Sequence, residues 1–202
     1  MEPDPRAIWN KKYTEAERSF EPDPFLVKAY SQFLANQPPG DALDIAGGAG
    51  RNALWLAQRG WRVRLIDVSE AGIALVNENV RKLLPGSAQD EMSARSGQVE
   101  TEQLDLSSTR DLGNERFDLV LVFFYLQREL FPAMVTALKP GGYLVFKTFT
   151  VAQQRLGKGP QNPNYLLQPL ELREAFPSLQ VLHYNESVTS VATAELVARK
   201  MP

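Results

Sequence analysis

Cysteine is absent from the 202 residues, and there is one histidine, His183. The first absence excludes disulfides, thiolate-bound zinc and cysteine nucleophiles. The second excludes a multi-histidine metal centre and a two-histidine mechanism, so no metal is expected. Strong charge is lacking too. A net charge of −2 gives no general electrostatic grip on nucleic acid or on an anionic membrane. The longest apolar run, residues 119–126, is far too short to cross a bilayer. The start, Met1-Glu2-Pro3-Asp4-Pro5, is acidic and proline-rich, the opposite of a secretory signal. The expectation is a cytoplasmic protein, monomer or weak homodimer, with neither nucleic acid nor membrane as partner.

What is present reads as alternating helix and strand. A short helix is expected over 6–18, with Trp9 and Tyr13 one turn apart. A second is expected over 24–36, ended by Pro38-Pro39-Gly40. The period then changes. Residues 42–46 are a compact apolar run entering glycines, as in a buried parallel strand. A helix over 51–59, a strand over 61–66 ending at Asp67, and a helix from an Ser69 cap to about Leu84 follow. Residues 85–97 are polar and read as a surface insertion. Strands are expected over 99–104, 117–124 and 143–149, with a helix at 127–138 and a turn at Lys139-Pro140-Gly141-Gly142. A short helix near 169–175 precedes strands over 179–187 and 191–199. This order predicts a doubly wound α/β fold with an antiparallel C-terminal pair. Three segments are expected within one domain over 1–202: an N-terminal helical part (1–39), a cofactor core (40–150), and an acceptor-side loop with closing strands (151–202).

The chemistry concentrates at Leu43-Asp44-Ile45-Ala46-Gly47-Gly48-Ala49-Gly50-Arg51-Asn52. A strand, a glycine turn and a helix bring backbone N–H groups close to a ligand. Gly48-Ala49-Gly50-Arg51-Asn52-Ala53 also fits the dinucleotide fingerprint G-x-G-x-x-G/A. Asp44 separates the two readings. A carboxylate before the turn repels a pyrophosphate and favours a ligand with a cationic amino group. Asp67, at the end of the second strand, is placed to accept from two vicinal ribose hydroxyls. Asp105, past the third strand, is placed to accept from an adenine amine. Three acids at three successive strand ends point to an adenosine ligand with a cationic arm.

These residues resemble those of class I S-adenosylmethionine-dependent methyltransferases over about 40–150. Within them the chain resembles the tellurite-resistance-type methyltransferases. The likeness is carried by Trp9-Asn10-Lys11-Lys12-Tyr13, by the glycine turn, by Tyr125-Leu126-Gln127-Arg128-Glu129-Leu130-Phe131-Pro132, and by Gly159-Pro160-Gln161-Asn162-Pro163-Asn164-Tyr165-Leu166-Leu167. The resemblance implies a Rossmann-like, seven-stranded, mostly parallel sheet. It implies S-adenosyl-L-methionine as cofactor and a small-molecule methyl acceptor (an oxyanion, a thiol or similar). Asp44 and the backbone of Ala46, Gly47 and Gly48 would hold the methionine end. Asp67 would hold the ribose, and Val68 would lie on the adenine. Asp105 and Leu106 would read the adenine edge. Phe123 would line the sulfonium side, and Trp9 and Tyr13 would form an N-terminal lid.

On the acceptor side the candidates are Tyr125, Arg128, Asn162 and Tyr165, with Arg128 suited to an anion. No catalytic base is assigned. Three features depart from the family pattern: Ala46 where a glycine is usual, Ala49 where an acid is usual, and Lys147 in place of an acid. Lys147 reads as a solvated strand-end charge and His183 as structural. Ala46 fits the turn only with ordinary backbone dihedrals. Two rival readings stay open: an NAD-dependent oxidoreductase, and a non-catalytic adenosine-ligand binder of the same fold.

Overall fold

A computed structural model describes residues 4–15, 20–84 and 97–202. By its contacts the chain divides into two compact units, residues 1–109 and 110–202. The expected insertion at 85–97 lies outside the described residues except for Gly97.

The first unit opens with helix α1 (Pro5–Glu15), which has no buried residue. Helix α2 (Pro24–Ala29) begins at an Asp23 cap, whose side chain accepts from the Phe25 amide. The expected helix over 24–36 does not stay α-helical, because residues Tyr30–Leu34 widen into a π-helical turn. Strands β1 (Asp41–Ile45), β2 (Arg62–Asp67) and β3 (Gln98–Gln103) follow. They pair in parallel, β2 in the middle. Helix α3 (Arg51–Ala57) links β1 to β2, and α4 (Glu70–Leu83) links β2 to β3. Ser69 caps α4 as expected, accepting from the Gly72 amide.

The apolar periodicity explains the packing. In β1, Ala42, Leu43 and Ile45 are fully buried, and so are Ala53 and Leu56 of α3. Each buried leucine or isoleucine contributes about 1.5–3 kcal/mol. The parallel pairing puts the ends of β1 and β2 side by side, Ile45 opposite Ile66. That register brings the glycine turn next to Asp67.

The second unit holds β4 (Phe117–Phe123), helix α5 (Phe131–Ala137), β5 (Leu138–Phe149), helix α6 (Glu171–Glu174), β6 (Leu179–Val188) and β7 (Ala192–Lys200). β4 and β5 are parallel. β7 is antiparallel to both β5 and β6. Phe131, Phe146 and Phe176 form an aromatic cluster with ring centroids 5.0–6.2 Å apart. The expected helix over 127–138 splits into a 3-10 turn, Arg128–Leu130, and the shorter α5. The expected turn at Lys139-Pro140-Gly141-Gly142 is instead the first part of β5. There the register shifts between Phe117 and Leu119. Further 3-10 turns at Val151–Leu156 and Pro163–Tyr165 replace the expected loop. Among the described residues no helix is long and apolar enough to cross a membrane.

Gly97 leads into β3 in a space closed by backbone. A β-carbon there would lie 2.2 Å from the Ala57 carbonyl oxygen and 2.5 Å from that of Trp61. Neither oxygen can swing away as a side chain would. Gly97→Ala is therefore expected to cost about 3 kcal/mol or more. That corresponds to a melting midpoint about 6–12 °C lower by calorimetry.

Candidate functional site

The end of β1 turns sharply. Ala46, Gly48 and Gly50 all have positive φ, at 53°, 59° and 79°. The dihedrals of Ala46 are therefore not ordinary, which corrects the condition on which alanine seemed to fit. Its β-carbon crowds its own backbone in the left-handed region, at a cost of about 1–2 kcal/mol. Gly47 is needed for a different reason. A β-carbon there would meet the Leu65 side chain at 2.7 Å and the Asp44 carboxyl carbon at 2.9 Å.

Asp67 closes the turn from the neighbouring strand. The Gly48 amide donates to its Oδ2 at 2.8 Å, and the Ser69 amide donates to its Oδ1 at 2.8 Å. Burial pushes the Asp67 carboxyl above the ordinary carboxylate range, while amides from Ser69, Gly48 and Val68 pull it back. Each carboxylate oxygen has two acceptor directions, so Asp67 keeps capacity for further donors.

Asp44 is different. It is buried, and its Oδ2 has no hydrogen-bond partner. Burial pushes its pKa up to about 7, and repulsion from Asp67 adds to this. The Arg51 charge and a hydrogen bond from the Ala53 amide act the other way. An unsatisfied buried carboxylate oxygen is costly and calls for a donor. A ligand ammonium meets that need, and the small residues of the turn leave its backbone open to close approach. The site fits an adenosine ligand with a cationic arm.

Residues that sequence reasoning passed over brace the turn. Arg51 Nη2 lies 3.2 Å from Asp23 Oδ2. Asn52 Oδ1 accepts from the Asp23 amide at 2.9 Å. The cap of α2 is thereby tied to the start of α3. Asn10, inside a stretch noted for its aromatics, accepts from Ser69 Oγ at 2.7 Å and from the Ala71 amide at 3.2 Å. An asparagine's far partner leaves no local sequence signal.

The remaining first-unit candidates are distributed as follows. Tyr13 lies directly over Gly48 and beside Gly72. Trp9 stacks on Tyr13 with centroids 5.9 Å apart and is 37% exposed. Val68 is half-buried and Leu106 buried. Asp105 is exposed, and its Oδ1 accepts from the Ser107 amide and hydroxyl in a local turn.

In the second unit Phe123 is buried at the end of β4. Phe124 has φ 59° and packs on Phe149 at 5.0 Å. The Tyr125 hydroxyl donates to Gln127 Oε1. Asn162 accepts from the Asn164 amide at 3.0 Å, while Tyr165 is 49% exposed. Two expectations are corrected. Arg128 is not poised for an anionic ligand. It donates to both Glu171 oxygens at 2.5 and 2.9 Å, and to the Asn164 and Leu166 carbonyls at 3.0 and 2.9 Å. Four such bonds commit the guanidinium fork to holding this loop. Lys147 is not a solvated charge. Its ammonium lies 3.1 Å from Glu195, and its side chain is 13% exposed. The two residues face each other in the β5–β7 register, which accounts for the pairing. His183 is half-buried in β6, at a register shift beside Val181.

A methyltransferase-domain family model matches residues 20–191. The chain belongs to that family. Two relatives agree in sequence over 74% of the chain. Hemagglutinin 1 of Eikenella corrodens is 27% identical over 159 residues, 47% of its own length. The probable S-adenosyl-L-methionine-dependent methyltransferase TehB of Haemophilus influenzae is 26% identical over 158 residues, 49% of its length. The chain thus spans about half the length of the curated relatives it matches. The TehB crystal structure has a TM-score of 0.67 at 20% identity, over 96% of this chain and 66% of that one. Magnesium protoporphyrin IX methyltransferase from Synechocystis PCC 6803, solved with bound S-adenosylhomocysteine, has a TM-score of 0.66 at 15% identity, over 96% and 97%. The family membership bears out the resemblance read from the sequence. The fold class is borne out as well: seven strands, mostly parallel, with an antiparallel C-terminal pair.

Two substitutions test the turn. Ala46→Gly removes the left-handed penalty and is expected to stabilise the protein by about 0.5–1 kcal/mol in urea titration, a net of strain relief and added unfolded-state freedom. Asp44 ionises near 3.8 in the unfolded chain and near 7 in the folded one. The folded state therefore holds the proton more tightly, and stability falls as pH rises through that window. Asp44→Asn is expected to be more stable than the natural protein at pH 8, by about 2 kcal/mol, with the gain shrinking as pH falls toward 4.

Proposed function

We propose that this protein binds S-adenosyl-L-methionine and transfers its methyl group to a small-molecule acceptor. The observation that carries the reading is the unpartnered Asp44 Oδ2, buried against a glycine turn in a methyltransferase-family chain. A pyrophosphate would be repelled at that position, which disfavours the nicotinamide reading. Asp44 and the backbone of Ala46, Gly47 and Gly48 hold the amino-acid end. Asp67 accepts from the ribose hydroxyls with the lone pairs its amide donors leave open. Val68, Leu106 and the outer oxygen of Asp105 take the adenine. Tyr13 with Trp9 covers the ligand from α1.

When bound, the cofactor supplies a methyl group on positively charged sulfur, activated for in-line displacement by a nucleophile. The chain's own residues then have to bind, align and exclude water. Alignment alone supplies on the order of 7–11 kcal/mol at best. Tyr125, Asn162 and Tyr165 contact the acceptor, and Arg128 holds the loop that carries two of them. A soft or already ionised acceptor, such as a thiolate or an oxyanion, needs no general base.

Calorimetric titration with S-adenosylmethionine, S-adenosylhomocysteine and NAD tests the cofactor. Binding of the first two without NAD is expected, and binding of NAD alone would sink the reading. Asp44→Asn is expected to weaken S-adenosylhomocysteine binding at least about tenfold, through loss of a charged hydrogen bond. In the natural protein the same affinity is expected to fall as pH drops from 8 to 6, because Asp44 takes up a proton near pH 7. A pH-independent affinity would mean that Asp44 does not meet the ligand's charge. Labelled-methyl transfer to panels of thiols and oxyanions then identifies the acceptor class.

A further inference from the structure

Helix α1 is held to the first unit in an unusual way. None of its residues is fully buried, and its aromatic contact is that of the half-buried Tyr13. Its ion pair to α4, Arg6 to Glu70, is 3.6 Å long with both side chains more than half exposed, and such a pair contributes little. Asn10 makes a specific polar attachment. Its Oδ1 accepts from Ser69 Oγ at 2.7 Å and from the Ala71 amide at 3.2 Å. Ser69 Oγ in turn accepts from the Gly72 amide at 3.1 Å. Asn10 thus joins the cap of α4, outside α4 in sequence but part of it in bonding.

Two further facts give this attachment a direction. One turn after Asn10, the Tyr13 hydroxyl stands where a β-carbon on Gly48 would be, only 2.0 Å from that position. The same ring lies 3.2 Å from where a β-carbon on Gly72 would sit. Two glycines, one in the turn and one in α4, therefore clear space for this one tyrosine. The corner to which Asn10 is fastened is also the one that presents Asp67, since the Ser69 amide donates to Asp67 Oδ1. The fastening of α1 and the carboxylate read as the ribose acceptor share a single residue, Ser69.

We propose that Asn10 is a positioning residue: it latches α1 to the β2–α4 corner so that Tyr13 closes over the Gly48 turn, and ligand binding at that turn tightens the latch. This rests on the reading of the turn as the S-adenosylmethionine site. The latch is made of few, partly exposed hydrogen bonds, the kind that opens locally without unfolding the core. A ligand that binds better under a closed α1 shifts the opening equilibrium toward closure.

The test uses the full chain, S-adenosylhomocysteine as probe, and trypsin, which cuts after the exposed Lys11 and Lys12 of α1. In the natural protein the probe is expected to slow cleavage at these two lysines. Asn10→Ala is expected to lose that protection and to bind the probe about tenfold more weakly, with a melting midpoint no more than about 4 °C lower when no probe is present. Asn10→Asp keeps an acceptor and places a negative charge at the start of α4, where it is favoured. It is expected to restore both protection and affinity, which a general loss of structure would not allow. Equal affinity and equal protection in the natural protein and Asn10→Ala would overturn the latch while leaving the cofactor reading intact. Failure of the natural protein to bind the probe would overturn the cofactor reading, and the latch with it.

Discussion

The carboxylate of Asp67 spends one oxygen on the Gly48 amide and the other on the Ser69 amide. Through that one side chain the turn after β1 and the cap of α4 become a single corner. Both amides would otherwise be buried donors at the ends of their elements, and orphaned donors of this kind are expensive. The left-handed conformations at Ala46, Gly48 and Gly50 persist because this corner over-determines them. Asp44 then follows. Packed under the turn and close enough to Asp67 to feel its charge, it has nowhere to relax, and its second oxygen stays unpaired. The unfavourable buried carboxylate is a cost that this corner carries.

Much of the first unit was legible because its signals are local. Apolar runs, the Ser69 cap and the glycines fix β1, β2, α3 and α4 to within a residue or two of their observed limits. Acids at strand ends are legible for the same reason: parallel pairing places those ends together. The conformation of Ala46 was not legible, since alanine rarely enters the left-handed region and nothing beside it announces that it does. Asn10 was hidden by distance, its partners lying 59 and 61 residues away. Asp23, Arg51 and Asn52 were hidden likewise.

The second unit was legible in outline and less so in its charges. Sequence reasoning assigns a cation to the solvent or to a ligand unless a partner is visible nearby. Arg128 meets Glu171 across 43 residues. Lys147 meets Glu195 only because β5 and β7 run antiparallel in one particular register. Both pairings are products of topology. They turn an apparent ligand-binding charge, Arg128, and an apparent solvated one, Lys147, into braces. Arg128 fastens the turn at Pro163–Tyr165 through its carbonyls, and Lys147 lies 5.8 Å from the ring of the strained Phe124. Of the two acceptor-side candidates in that loop, Tyr165 is exposed and Asn162 half-buried.

Trp9 is the exposed member of the chain's three tryptophans. Trp61 is fully enclosed, and Trp55 is pinned between the Tyr30 ring and the Arg59 guanidinium. Only Trp9 sits on α1, stacked on Tyr13 with the Lys12 ammonium 4.2 Å above its ring. Its indole therefore senses the solvent and the neighbouring charge that a swing of α1 would change, while the other two provide a steady background. The molecule carries its own optical reporter for whatever happens at the glycine turn.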